Sequence, residues 1–172
     1  MFAPKVTFSD EHINGRLLLA DPAIRDGCFD RAVVYMFEHE KENGSQGLIL
    51  NKRTHYSVGD LIKSKQFRPL AGLPVFTGGP VASDQLHFAG FRYDQHTNKL
   101  SCEFHLNVDQ ANALATQKNH VVRAFVGHSA WQPGQLQDEI EQHAWFCADA
   151  TAKETLETES HLLWSKLMQN IS

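Results

Sequence analysis

The sequence predicts an α+β fold, one domain over residues 1–172 with largely antiparallel strands. Three observations predict it. Arg31 to Asn51 (RAVVYMFEHEKENGSQGLILN) reads as two apolar strands folded back through a short polar loop, where Asn43-Gly44 suits the positive φ of a hairpin turn. Strand and helix patterns are mixed along the chain without strict βαβ alternation. At 172 residues with 42% hydrophobic composition and 11 Phe, the chain can bury roughly 70% of its unfolded surface around a core that needs no cross-links.

Taken in order, Met1 to Phe8 reads as a loosely held arm, and Asp10 to Asn14 as a short turn before Gly15. Arg16 to Ala20 is a strand stopped at Asp21-Pro22, because Pro cannot donate to the ladder and disfavours helix in the residue before it. The chain turns through Arg25-Asp26-Gly27. In the next strand Val33, Tyr35 and Phe37 face one side and Ala32, Val34 and Met36 the other, so both faces are apolar and the strand is interior. Gly47 to Asn51 pairs back along it.

Ser57 with Asp60 has the pattern of a capping box, and Val58, Leu61 and Ile62 give a short helical stripe broken near Pro69. Leu73 to Thr77 is a strand entering Gly78-Gly79-Pro80-Val81, a turn whose glycines permit close backbone approach. Leu86 to Phe91 and Leu100 to Leu106 form a second hairpin around the polar loop Arg92 to Lys99. Asn107 caps a helix bearing Ala111, Leu114 and Ala115 on one face and ending by Asn119. Val121 to Val126 is another strand, and Gly127 to Trp131 reads as the turn that leads to a helix opened by Pro133, with Leu136, Ile140 and Ala144 on its apolar side. Trp145 to Ala148 is a last short strand. Thr151 with Glu154 opens a closing helix, in two pieces, that carries Leu156, Leu163, Trp164, Leu167 and Met168.

Composition excludes several functions. The net charge is -4 and no dense Lys/Arg run occurs, which argues against direct nucleic-acid binding. The start lacks the blocks of a signal peptide, and the longest wholly apolar run, Ala32 to Phe37, is far below the ~20 residues of a membrane span. A cytoplasmic protein with no membrane association is expected. Cys28, Cys102 and Cys147 are odd in number and widely spaced, so three reduced thiols are expected rather than disulfides or structural zinc.

No motif amounts to a catalytic signature. Gly127-His128-Ser129-Ala130 follows a strand as a nucleophile elbow would, but Trp131 stands where that turn needs a small residue and Pro133 delays the helix. The ten histidines offer no H-x-x-x-H pair, and Glu38-His39-Glu40 on a strand divides its carboxylates from the imidazole across two faces. No metal and no cofactor is therefore expected. Gly78-Gly79-Pro80 lacks the Lys-Ser/Thr of a phosphate loop. What remains is a set of polar or small residues at element ends: Glu38, His39, Asn51, Gly78, Gly79, Trp131 and Gln135. If those ends meet, they make a shallow site for a small ligand or peptide.

Four segments together resemble the AlgH/YqgE family: GRLLLADP over 15–22, the VVYMFEH and GLILN of 26–51, FTGGPV over 76–81, and FVGHSAWQPGQLQDEIEQHAW over 125–145. The resemblance implies a bifurcated sheet folded as a pseudo-barrel and flanked by helices, in a bacterial family similar to proteins named as transcriptional regulators of alginate production. It also implies a Cys just before the Glu-His pair, a place held here by Phe37. The leading expectation is a non-enzymatic regulatory or binding module with a protein or small-molecule partner. The alternative is an enzyme or metabolite sensor using Glu38 and His39 for proton transfer, and a DNA-binding regulator ranks third.

Overall fold

The computed structural model describes residues 13–25, 27–40 and 42–171. These form an α+β structure whose nine strands make one branched sheet with helices against it. The strands are β1 (Arg16–Ala20), β2 (Val33–Glu40), β3 (Gly44–Ile49), β4 (Arg53–Ser57), β5 (Pro74–Thr77), β6 (Val81–Tyr93), β7 (Leu100–Leu106), β8 (His120–Trp131) and β9 (Trp145–Asp149). The helices are α1 (Val58–Leu61), α2 (Val108–Ala115), α3 (Gln135–Glu141), α4 (Ala152–Glu157) and α5 (Ser160–Gln169). The arm expected over Met1 to Phe8 and most of the turn after it lie outside the described residues.

The main path of the sheet is β4-β5-β8-β3-β2-β1-β9, and it does not close. Its branch point is β8. Ala124 to Val126 pair in parallel with β5, residues from His120 to Val126 pair antiparallel with β6, and Ser129 to Trp131 pair antiparallel with β3. One strand thus serves two sheet halves, and β7 extends the second half as the partner of β6.

The hairpin β2–β3 forms and Gly44 takes φ 88, but its turn is tighter than expected: Glu40 already lies opposite Gly44, so β3 begins three residues before Gly47 and ends at Ile49. β2 lies between β1 and β3, and its two apolar faces enter two cores. Val33 and Tyr35 join Leu17, Leu48, Phe91 and Phe125 on one side, while Val34 and Met36 join Leu18, Ile49, Trp131 and Trp145 on the other. A third cluster, around Val58, Val75, Phe88 and Val122, lies beneath α1 and α2. The Arg123 side chain donates to the carbonyls of Leu50 and Leu156, tying α4 to the sheet, and burial lowers its pKa to about 10.

Capping followed the sequence at two helices. Ser57 and Asp60 form the box at α1, and Asn107 with Gln110 forms it at α2. At α4, Thr151 is the N-cap residue but makes no side-chain cap bond.

Three expectations need correction. Gly127 to Trp131 is not a turn into a helix but the second half of β8. Its run of small residues mimics a turn because the Gly78-Gly79 backbone crosses it closely. A Cβ on Gly127 would stand 2.2 Å from the Gly79 carbonyl oxygen, and one on Gly79 would stand 2.2 Å from the His128 carbonyl. Pro133 precedes α3, which begins at Gln135 after Gly134 at φ 83. The polar edge strand β4 was not read from RTHYS, which has no apolar alternation, and the chain after α1 forms a 3-10 helix over Lys65–Leu70 with Pro69 inside it.

Candidate functional site

The candidate residues divide into two groups at opposite ends of the β2–β3 hairpin. In an antiparallel pair the end of the first strand lies beside the start of the second, so His39 and Asn51 cannot adjoin. Asn51 lies near Arg31 and Val33 instead, six strand residues or about 20 Å from His39. Both polar atoms of its amide are bonded there: Oδ1 accepts from the Val33 N–H at 2.9 Å and Nδ2 donates to the Arg31 carbonyl at 2.8 Å. The single rim expected from the sequence is therefore not formed.

At the turn end, register places His39, Ser45 and Trp131 in one row across β2, β3 and β8. All three are buried, at 5%, 2% and 5% exposure. His39 Nδ1 lies 2.5 Å from Ser45 Oγ. Glu38 opposes Gln46 in the neighbouring row, so its side chain leaves the sheet on the other face and cannot pair with the His39 ring.

Trp131 packs against Phe29 and, edge-on at 5.9 Å, against Trp145. Both indole N–H groups donate to one carboxylate oxygen of Glu139, at 3.4 and 3.2 Å. Gln135 Oε1 accepts from the Gln132 N–H at 3.0 Å, holding the start of α3.

The two glycines and Ser129 also have internal roles. The Gly78 N–H donates to Val126 O, and the Gly78 carbonyl accepts from the Ile49 N–H and from Ser129 Oγ at 3.0 Å. Ser129 has no exposure. The bond to Gly78 and the absence of solvent contact remove any nucleophile-elbow geometry. Among the described residues, no group of three or more His, Cys, Asp or Glu could hold a metal ion. All three thiols are held above their usual pKa, chiefly by burial, and Cys102 is pushed up to about 12.

A second locus was not found from the sequence. His87 on β6, His105 on β7 and His128 on β8 approach one another, with the His87 and His105 rings 5.6 Å apart. They come from three strands far apart in sequence, so no local spacing announces them. The one local signal was the hairpin that carries His87 and His105.

His105 takes φ 60 where the pairing slips between Phe88/Leu106 and Gly90/Glu103, which is a β-bulge. A bulge of this kind re-aims a side chain. Phe104 links the group to the central hairpin: its ring lies 4.2 Å from that of Phe37 and 4.7 Å from that of His87.

His87 Nε2 is 2.9 Å from the Gly127 carbonyl oxygen. A carbonyl only accepts, so Nε2 carries the hydrogen and the neutral ring keeps a lone pair on Nδ1. That Nδ1 is buried and has no hydrogen-bond partner. On the face of β6 that carries Leu86 and Phe88 runs an open groove of about 290 Å³, formed by Ile62 and Phe67 after α1, Leu86 to Phe88 of β6, and His105 to Val108 leading into α2. A wider depression of about 510 Å³ near α4 and α5 is lined instead by Glu157, Glu159, Lys166 and other mostly polar residues.

Burial holds His87 down at about pKa 4, with the nearby His105 and His128 adding to the effect and the Gly127 bond opposing it. His128 is lowered in the same direction, by burial first and then by His105. The unfolded ring, near 6.5, therefore binds a proton that the folded ring refuses. Stability should be fully present above about pH 6.5 and fall as pH drops toward 4. The exposed carboxylates Asp60 and Asp94 are shifted below 3.8 and titrate under this window. Urea midpoints at pH 7.5 and pH 5 should differ, and the difference should shrink in His87→Phe; an undiminished difference would contradict the assignment.

The AlgH-like family model matches residues 17–172. A UPF0301 protein of Streptomyces coelicolor is 32% identical over 168 residues, covering 91% of this chain and 86% of that relative. One from Myxococcus xanthus is 32% identical over 161 residues, covering 90% and 88%. Among solved structures, the AlgH protein of Pseudomonas aeruginosa matches with TM-score 0.70 at 18% identity, covering all of this chain and 93% of that one. A Corynebacterium diphtheriae protein matches equally, TM-score 0.70 at 24% identity, over 92% and 86%.

Proposed function

This chain belongs to the AlgH-like family, and from that premise we propose that it is a non-enzymatic binding module acting in the cytoplasm, with its ligand in the groove between β6, the β7–α2 junction and the segment after α1. The supporting observation is the groove itself. It brings Phe67, Phe88, Leu106 and Val108 together on one concave surface, in the manner of a small-ligand site. A regulatory role follows if occupancy alters what the protein contacts.

The hairpin end does not support an enzyme. His39 and Ser45 are buried, Glu38 faces away from them, and Trp131 is a core residue. Direct DNA binding is disfavoured by the net charge of -4. Among the described residues, no helix is long and apolar enough to cross a membrane.

A metabolite thermal-shift screen tests the reading through mass action, since a ligand that binds only the folded state raises its melting temperature. Stabilising compounds should lose their effect in Val108→Glu, which puts a charge on the groove wall, and keep it in Gln135→Ala at the far site. Compounds indifferent to Val108→Glu but lost in Gln135→Ala would contradict the placement.

A further inference from the structure

We propose a transition-metal site on the face of β6 turned away from the groove: a divalent ion such as Zn(II) or Cu(II), held by His87 Nδ1 and the His105 imidazole with water at its other positions. It stands independently of the groove. Register brings the two rings together. Phe88 opposes Leu106 and Gly90 opposes Glu103, so Phe104 and His105 both stand opposite Ala89. Two residues opposing one is a bulge, which re-aims a side chain. Ala89 and His87 are two apart on the strand and share a face, with Phe125 directly across from His87 on β8. On that face the His105 ring lies 5.6 Å from the His87 ring, and Phe104 packs edge-on against His87 at 4.7 Å.

The donor chemistry of His87 is that of a ligand. A metal-binding histidine almost always donates its second ring N–H to a carboxylate or backbone carbonyl, which fixes the tautomer and leaves the first nitrogen bare. His87 does this through Nε2 and Gly127 O. Its Nδ1 is then a buried lone pair without a partner, whereas buried polar atoms in folded proteins nearly always have one. Burial keeps the ring neutral near pH 7, the form that binds a metal. His105 is exposed, so the ion has a way in from solvent. A non-glycine residue at φ 60 is strained, and such strain gathers at ligand sites.

The spacing suits a shared ion. Zinc binds imidazole nitrogen at about 2.0–2.1 Å, which places each ring centre about 3.2 Å from the metal and two coordinating rings about 5–6.5 Å apart. The observed 5.6 Å falls inside that range. Among the described residues no three His, Cys, Asp or Glu converge, so the protein supplies two imidazoles and no carboxylate or thiolate completes the set. An imidazole set suits Zn, Cu or Ni rather than Mg or Ca.

Calorimetric titration of the untagged, intact protein at pH 7.5 with zinc chloride, read alongside the NMR signals of the histidine ring nitrogens, tests the site. We expect the tightest step to take one ion per chain and to move His87 Nδ1 and a His105 ring nitrogen ahead of every other histidine. His105→Ala should weaken that step at least tenfold, while the exposed control His96→Ala leaves it unchanged. His87→Phe should match His105→Ala, and the His105→Ala arm stands even if His87→Phe folds poorly. Undiminished affinity in His105→Ala would overturn the proposal. So would ring-nitrogen shifts centred on other histidines with His87 Nδ1 unmoved, or the absence of zinc binding.

Discussion

Gly79→Ala is expected to abolish the native fold, with a loss above about 4 kcal/mol. The added Cβ would lie 2.2 Å from both the carbonyl carbon and oxygen of His128 and 2.4 Å from Ser129 N, all backbone atoms of β8. Side chains can rotate away from such a contact, but a strand paired on both sides cannot. Gly79 also sits at φ 154, where an L-residue is strained irrespective of space. The crossing joins the two sheet halves: the neighbouring Gly78 donates to Val126 and accepts from Ile49 and Ser129. Circular dichroism and thermal melting of the purified variant should show no cooperative transition. A native-like melt would mean that the crossing is looser than described.

Trp131→Ala should cost about 3–5 kcal/mol, the usual range for removing a buried large aromatic. The indole is 5% exposed and packs with Phe29, Trp145 and Leu136 in the core beneath α3. Removing it also takes one of two donors from Glu139 Oε1, whose sister oxygen is already buried without a partner. Urea denaturation should show this loss directly, with Gln135→Ala nearly neutral because its side chain only accepts from the exposed Gln132 N–H ahead of the helix. A consequence follows for binding studies. Loss of a partner in Trp131→Ala does not distinguish a lost contact from a destabilised core, so that substitution cannot map a binding surface.

The elements were more legible in the sequence than the site. Alternation in VVYMF, the turn chemistry of Asn43-Gly44 and the capping boxes at Ser57 and Asn107 are local signals that found β2, the turn, α1 and α2, whereas β3 starts at Gly44 and ends at Ile49, earlier than its apolar residues alone suggested. Gly127 to Trp131 misled because close packing of two backbones selects the same small residues as a turn does. Asn51 misled for a topological reason: reading both strand ends as one rim ignored that antiparallel strands put them at opposite ends. Its side chain copies a strand's hydrogen bonds at the mouth of the hairpin. The histidine group had no local signal beyond the hairpin that carries two of its members, since His87, His105 and His128 meet only after β6 has paired with both β7 and β8.

Amide chemical-shift mapping during titration with a compound that stabilises the protein in the thermal-shift screen tests most directly where ligands enter. The account predicts saturable shifts confined to Phe67, Leu86 to Phe88 and His105 to Val108, with the row through Ser45 and Trp131 unmoved. Shifts centred on Ser45, Gln46 and Trp131, with the β6–β7 groove silent, would contradict it.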